Sequence, residues 1–276
     1  MRFSGNLEKL DLKLEENVLA WLPVGDQKVF LNELIGETIS LKFTGGLNCV
    51  HCGRKISKTY GQGYCYPCIS SLAECDSCLY MPEKCHYAKG TCREPEWGEQ
   101  NCFKDHIVYL SNTSSLKVGI TKMVNVPSRW LDQGATQALP IVRVSNRLLS
   151  GEIEVMLKSY VSDKTNWRAM LKSEPTEFNL EQERDRLLIH VENIKQKLQQ
   201  KHGPEETIEL LSSSESISIK YPVAVYPEKV SSLSFDKTPD INSKLLGIKG
   251  QYLFLEQGVL NIRKFSGYNI EFKTHC

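Results

Sequence analysis

Nine of the chain's ten cysteines fall between Cys49 and Cys102, and nothing else restricts the fold as strongly. The run opens with Cys49-Val50-His51-Cys52, continues for twelve residues, and completes a first set with Cys65-Tyr66-Pro67-Cys68. Two CxxC pairs at that separation have the spacing of a zinc ribbon. Each tight turn supplies two thiolates, and the hairpin between them brings the second pair round to finish a tetrahedron. Gly53, Gly61 and Gly63 stand where knuckle and hairpin require positive φ. Four thiolates close the coordination sphere, so this zinc is expected to be structural.

Disulfides are the competing use of clustered cysteines. The N-terminus, Met1-Arg2-Phe3-Ser4-Gly5, has no apolar signal core, and no stretch approaches the ~20 apolar residues of a membrane span. The expectation is a cytoplasmic protein with no membrane partner, where clustered thiols serve as metal ligands. A net charge of +1 excludes a global basic field, so any nucleic-acid site must be a local patch.

A second group follows: Cys75-Asp76-Ser77-Cys78, then Cys85, His86, Cys92, Cys102 and His106. It has no second CxxC. Cys75, Cys78 and two of Cys85, Cys92 and Cys102 are expected to hold another zinc, with His86 or His106 able to replace a thiol. A four-cysteine iron–sulfur cluster is the alternative, since thiolate sites accept either.

Along the rest of the chain, Val18–Leu22 and Glu37–Phe43 have strand character, the second with period-two alternation. Ile107–Leu110, the Ser111–Ser115 turn and Leu116–Ile120 predict a hairpin. A short helix from Pro127, a strand at Pro140–Val144 and a helix from Gly151 follow. Leu180 to Gln200 predicts a long polar helix, and Ser212–Ser216 a flexible joint. A final hairpin turns at Glu256-Gln257-Gly258. The terminal strands are too few to bury a core separately, so they are expected to meet.

The segment from Val108 resembles the GIY-YIG nuclease superfamily, particularly its phage-type and helicase-associated branch. The matching residues are Tyr109, then Lys117-Val118-Gly119-Ile120-Thr121, then Arg129, then Glu154, with Glu152 as alternate. Ile107 replaces the first motif's glycine, and Lys117 replaces the tyrosine that opens the second motif in nuclease members. The resemblance implies that Tyr109 acts at or near the attacking water, that Glu154 holds Mg²⁺ or Mn²⁺, and that Arg129 stabilises developing phosphate charge. Lys117 suits a phosphate, and Gly119 allows close backbone approach. As a whole the chain also looks like a bacterial and archaeal family of unknown function.

The expected architecture is α+β. It comprises a zinc-ribbon-like metal region (47–106), a GIY-YIG-like α/β core (107–175), and a helix and linker (176–216). Strands at 1–46 and 217–276 would form a small β-barrel or sandwich. The expected function is a metal-binding, nucleic-acid-binding protein that acts as a divalent-metal-dependent endonuclease on DNA or RNA. The alternatives are a non-catalytic zinc-stabilised module for RNA, DNA or protein, and an iron–sulfur protein in nucleic-acid modification or redox sensing. Two further segments are candidates for nucleic-acid contact. One is Asp163-Lys164-Thr165-Asn166-Trp167-Arg168, expected to close the second helix. The other is the basic and aromatic set Lys244, Lys249, Tyr252, Arg263, Lys264 and Tyr268.

Overall fold

The computed structural model describes residues 1–274 as an α+β protein with several antiparallel sheets. The chain begins with β1 (Arg2–Asn6), β2 (Asp11–Leu14), β3 (Val18–Val24), β4 (Gln27–Phe30) and β5 (Thr38–Leu47). The cysteine-rich stretch contains only α1 (Tyr66–Ser71), α2 (Pro95–Asn101) and single 3-10 turns. Next come β6 (His106–Asn112), β7 (Leu116–Lys122), α3 (Ser128–Asp132), β8 (Gln137–Val144), α4 (Arg147–Leu157), α5 (Trp167–Lys172) and α6 (Leu180–His202). The chain finishes with β9 (Ile208–Leu210), β10 (Ile217–Ser218), β11 (Asp240–Lys249), β12 (Tyr252–Leu255), β13 (Gly258–Asn261) and β14 (Tyr268–Thr274).

The two ends of the chain do meet. One six-stranded sheet runs β1-β14-β5-β11-β12-β13, so strands from both ends alternate within it. A three-stranded sheet, β2-β3-β4, shares its apolar core through Leu22, Ile39, Leu41, Leu253 and Phe272. The two sheets bury one common apolar core between them.

The middle sheet has the order β10-β8-β6-β7, with β9 also paired to β8. Every residue of β6 is buried. Ile107 and Tyr109 point into the core shared with the terminal sheets, while Val108 and Leu110 point into a second core under α4 and α6. A strand covered on both faces explains the unbroken apolar run Ile107–Leu110. On α6, Leu187, Val191, Ile194 and Leu198 recur at helical spacing and pack into that second core.

Several expectations need correction. The 176–216 segment is not a helix with a free joint. Ser214 donates to the Pro140 carbonyl, the Ser216 N–H donates to Glu181, and β9 and β10 extend the middle sheet. Residues 163–168 do not simply close the second helix, because Asn166 caps the start of α5 through the Ala169 N–H. Trp167 lies stacked on Tyr252, with ring centroids 6.0 Å apart. The helix expected from Gly151 starts at Arg147, capped by Asn146, and ends before Tyr160. The proposed C-terminal basic patch also disperses. Lys249 is fully buried over the Tyr226 ring, and Tyr268 is buried with its hydroxyl on Asp236.

Candidate metal centre and adjoining cleft

The first cysteine set is assembled by backbone geometry. Gly53 and Gly63 have φ of 69° and 96°. A side chain at Gly63 would strike Val50 and the Ser266 carbonyl, so the hairpin packs directly on the first knuckle and on the turn before β14. Cys65 precedes α1 and Cys68 lies on it. The ligand atoms of Cys49, Cys52, Cys65 and Cys68 all lie within 4.8 Å of one another. Zinc–thiolate bonds of about 2.3 Å imply tetrahedron edges near 3.8 Å, and Cys52 Sγ lies 3.8 Å from Cys65 Sγ. This four-cysteine cluster therefore fits a tetrahedral ion such as zinc.

The surrounding donors favour thiolates. Burial opposes ionisation of Cys49, but N–H groups of Cys52, Cys65 and His51 outweigh it and bring its pKa down to about 6. The Arg54 N–H lowers Cys52, and the Arg54 Nε donates to its sulfur at 3.2 Å. Cys68 is pushed up, first by burial and then by its three neighbouring thiols. A cation would relieve that crowding of negative charge.

The second group is arranged differently. Asp76, Cys78 and His86 bring one ligand atom each within 4.8 Å. Asp76 is already engaged: it accepts from the Cys78 N–H and pairs with Arg93 at 2.8 Å. Burial opposes its ionisation, but the Cys78 N–H and Arg93 hold its carboxyl below the usual range. Cys78, Cys85, Cys92 and Cys102 line one partly enclosed cavity. Cys75 does not line it, and its electrostatic neighbours are Glu74, Arg93 and Cys49. His106 is buried with Nδ1 on the Lys104 carbonyl, and burial lowers its pKa to about 4.

Beside this region opens a cleft of about 640 Å³. Tyr109, Lys117, Arg129 and Glu154, from four different elements, all line it. Tyr109 and Gly119 face each other across the β6–β7 hairpin. A Cβ on Gly119 would lie 2.8 Å from the Tyr109 hydroxyl oxygen, so only glycine admits the ring. Gln133 on the turn after α3 accepts from both the Tyr109 hydroxyl and the Lys117 amine, each at 3.0 Å.

Burial pushes the Tyr109 phenol up to about 12, with Arg129 opposing, so it is protonated at neutral pH. Burial first, and then the Arg129 charge, bring Lys117 down to about 8. Burial raises Glu154, with Lys158 opposing. Among the described residues, no donor hydrogen-bonds to the Glu154 carboxylate. Glu152, the alternate carboxylate, faces away; it is buried between Lys201 at 2.6 Å and His202 at 2.7 Å on α6.

The sequence reading missed several lining residues. Lys122 and Arg147, together with Arg263 from the expected basic set, raise the cleft's cations to five, against Glu74, Glu154 and Asp163. Arg147 stands seven residues before Glu154, two turns along one helix face, and starting α4 at its Asn146 cap would have revealed it. Gln133 stands four residues after Arg129 and is placed by the same helical spacing. A second recess of about 580 Å³ beside Cys49 shares Gln62, Tyr64, Glu74 and Arg263 with the cleft. Arg263 spans the junction, donating to Gln62 at 2.9 Å. The recess beside the first cysteine set and the Tyr109 cleft thus adjoin, with the Arg263–Gln62 pair between them.

No helix of the described residues is long and apolar enough to cross a membrane. No curated protein and no solved structure matches the chain. One family pattern does match, over residues 36–270, which takes in both cysteine groups and every residue named in the cleft; the chain belongs to that family, described as protein of unknown function (DUF2797).

Proposed function

We propose that this is a metal-binding, nucleic-acid-binding protein whose cleft is a GIY-YIG-like site for divalent-metal-dependent phosphodiester cleavage. The observation that carries this reading is the convergence of Tyr109, Lys117, Arg129 and Glu154 on one cleft, with Arg129 and Glu154 part-exposed and Tyr109 and Lys117 buried in its wall. Arg129 would stabilise charge developing on the phosphate, using its planar donor fork. Glu154, with no hydrogen-bond donor on its carboxylate among the described residues, would supply a hard oxygen ligand to Mg²⁺ or Mn²⁺. That ion would polarise a phosphate oxygen. Tyr109 would position the attacking water through its hydroxyl. Lys117, brought down to about 8, is the better proton acceptor of the two near neutral pH. The adjoining recess beside Cys49 lies where a bound strand would continue beyond the reacting phosphate.

A second reading, binding without cleavage, is favoured by Gln133, which occupies both the Tyr109 hydroxyl and the Lys117 amine. Labelled DNA and RNA, incubated with Mg²⁺ or Mn²⁺ and wild type, Arg129→Ala or Glu154→Ala, separate the two. Cleavage is expected in wild type, with a loss of about 10²–10³ on removal of Arg129. Equal background in all three proteins rejects hydrolysis. Salt titration then tests phosphate contact, because affinity for a single strand falls with a log–log slope of about −0.7 per neutralised phosphate. Affinity that is absent or independent of salt rejects both readings.

A further inference from the structure

The geometry points to an iron–sulfur cluster of the four-iron type, held by Cys78, Cys85, Cys92 and Cys102. These four thiols line one cavity, and each comes from a separate piece of chain. Cys78 sits in the 3-10 turn Ser77–Leu79, and Cys85 directly follows the turn Pro82–Lys84. Cys92 lies in the loop before α2, and Cys102 caps the end of that helix.

The contrast with the ribbon selects the ligand. Single-ion thiolate sites draw their sulfurs into a tight tetrahedron, as at Cys49, Cys52, Cys65 and Cys68. Among the described residues, Cys85, Cys92 and Cys102 join no group of three whose ligand atoms lie within 4.8 Å of one another. A four-iron cluster offers a separate iron to each thiolate, so its ligands stand around a larger body. Spacings of six, six and nine residues, with no CxxC among the four, suit such separated ligands better than a zinc knuckle. Trp97 and Phe103 add apolar wall, which suits a cluster shielded from water.

Charge supports the same assignment. Four thiolates on a cluster carry net negative charge, and Arg147 lies close enough to act electrostatically on both Cys78 and Cys102. Its Nε is buried with no hydrogen-bond partner among the described residues, while its terminal nitrogen donates to the Leu79 carbonyl. Of the two alternative ligands beside Cys78, Asp76 is committed to Arg93, and His86 has its ring nitrogens on Asp76 and the Thr91 hydroxyl. The approach of α2 is close: a Cβ on Gly98 would lie 3.5 Å from Cys92 Sγ. This assignment stands apart from the nucleic-acid reading, since its four ligands line a different cavity from the cleft, although Arg147 borders both.

The test is anaerobic purification of the full chain, with and without reconstitution by ferrous iron and sulfide. Iron, sulfide and zinc are then counted per chain. Four irons, four sulfides and one zinc are expected, with broad visible absorption. Cys92→Ala and Cys102→Ser should lose iron and retain zinc; Cys75→Ser should retain both. Cys49→Ser should lose zinc, and where that variant keeps its circular dichroism it should retain iron. A second zinc with no iron, or no second metal after reconstitution, overturns the assignment. So does iron content unchanged in both Cys92→Ala and Cys102→Ser.

Discussion

Replacing Lys117 with methionine should stabilise the fold at neutral pH. Lys117 is 5% exposed, and burial and Arg129 bring its pKa from 10.5 to about 8. Its ammonium is therefore disfavoured in the folded protein by about 3 kcal/mol, at ~1.4 kcal/mol per pKa unit. Methionine keeps the length and apolar stem while removing the charge. The Gln133 oxygen that loses the amine still accepts from the Tyr109 hydroxyl, so no buried acceptor is left unpaired. After allowance for the lost hydrogen bond, of about 1 kcal/mol, a net gain of about 2 kcal/mol remains.

The sign of the pH dependence follows from the direction of the shift. Below pH 8 both states bind the proton and the penalty is present in full. Between about 8 and 10.5 the unfolded chain binds more protons than the folded one, so stability rises with pH and the penalty fades. Urea unfolding of wild type and Lys117→Met at pH 7 and pH 9.5 measures this directly. The variant's advantage should be largest at pH 7 and shrink at pH 9.5. A variant less stable than wild type at pH 7 would refute the reasoning and make Lys117 a structural residue. An advantage independent of pH would likewise exclude charge burial as its cause.

The other expected outcomes concern neighbouring residues. Gly119→Ala places a methyl 2.8 Å from a fully buried tyrosine, and overpacking of that kind costs ~1–3 kcal/mol; unchanged thermal unfolding would contradict the close approach. Glu152→Gln should lower stability by ~1–3 kcal/mol, because the buried carboxylate loses its charge-assisted bonds to Lys201 and His202, yet leave nucleic-acid binding intact, and loss of binding at full stability would reverse that assignment. Glu154→Gln should do the opposite, keeping the melting temperature while weakening Mn²⁺ binding measured by calorimetry. Zinc released by a thiol-modifying reagent should fall by one ion per chain in Cys52→Ser, and an undiminished yield would move the zinc elsewhere.

What the sequence made legible was mostly local. The β6–β7 hairpin, the long α6 helix and the first cysteine set are written in spacings of a few residues, and each stands where its pattern places it. The cleft residues are spread along the chain, and their assembly depends on which helix face turns inward. Residues two apart on a helix point about 200° apart, so Glu152 and Glu154 were never equivalent, and α6 decides between them by offering Lys201 and His202 to one. Lys249 shows the same limit. Its charge suggested a surface, but Tyr226 and α5 cover it from segments that no local pattern connects to β11.

The interleaving of the six-stranded sheet has a consequence in time. β5 pairs with β11 and β14, which lie roughly 200 residues or more further along the chain. At a synthesis rate of ~5–20 residues per second, β5 leaves the ribosome about 10 to 40 seconds before either partner exists. During that interval the ribbon thiols and the β6–β8 strands emerge complete, with neighbours from their own stretch of sequence. Metal capture and core formation can therefore come first, leaving Ile39, Leu41 and Phe43 as an exposed apolar strand until the last hairpin arrives. For this chain the hazardous period of synthesis is the wait of its opening strands, and a chaperone that shields them would act before residue 240 is made.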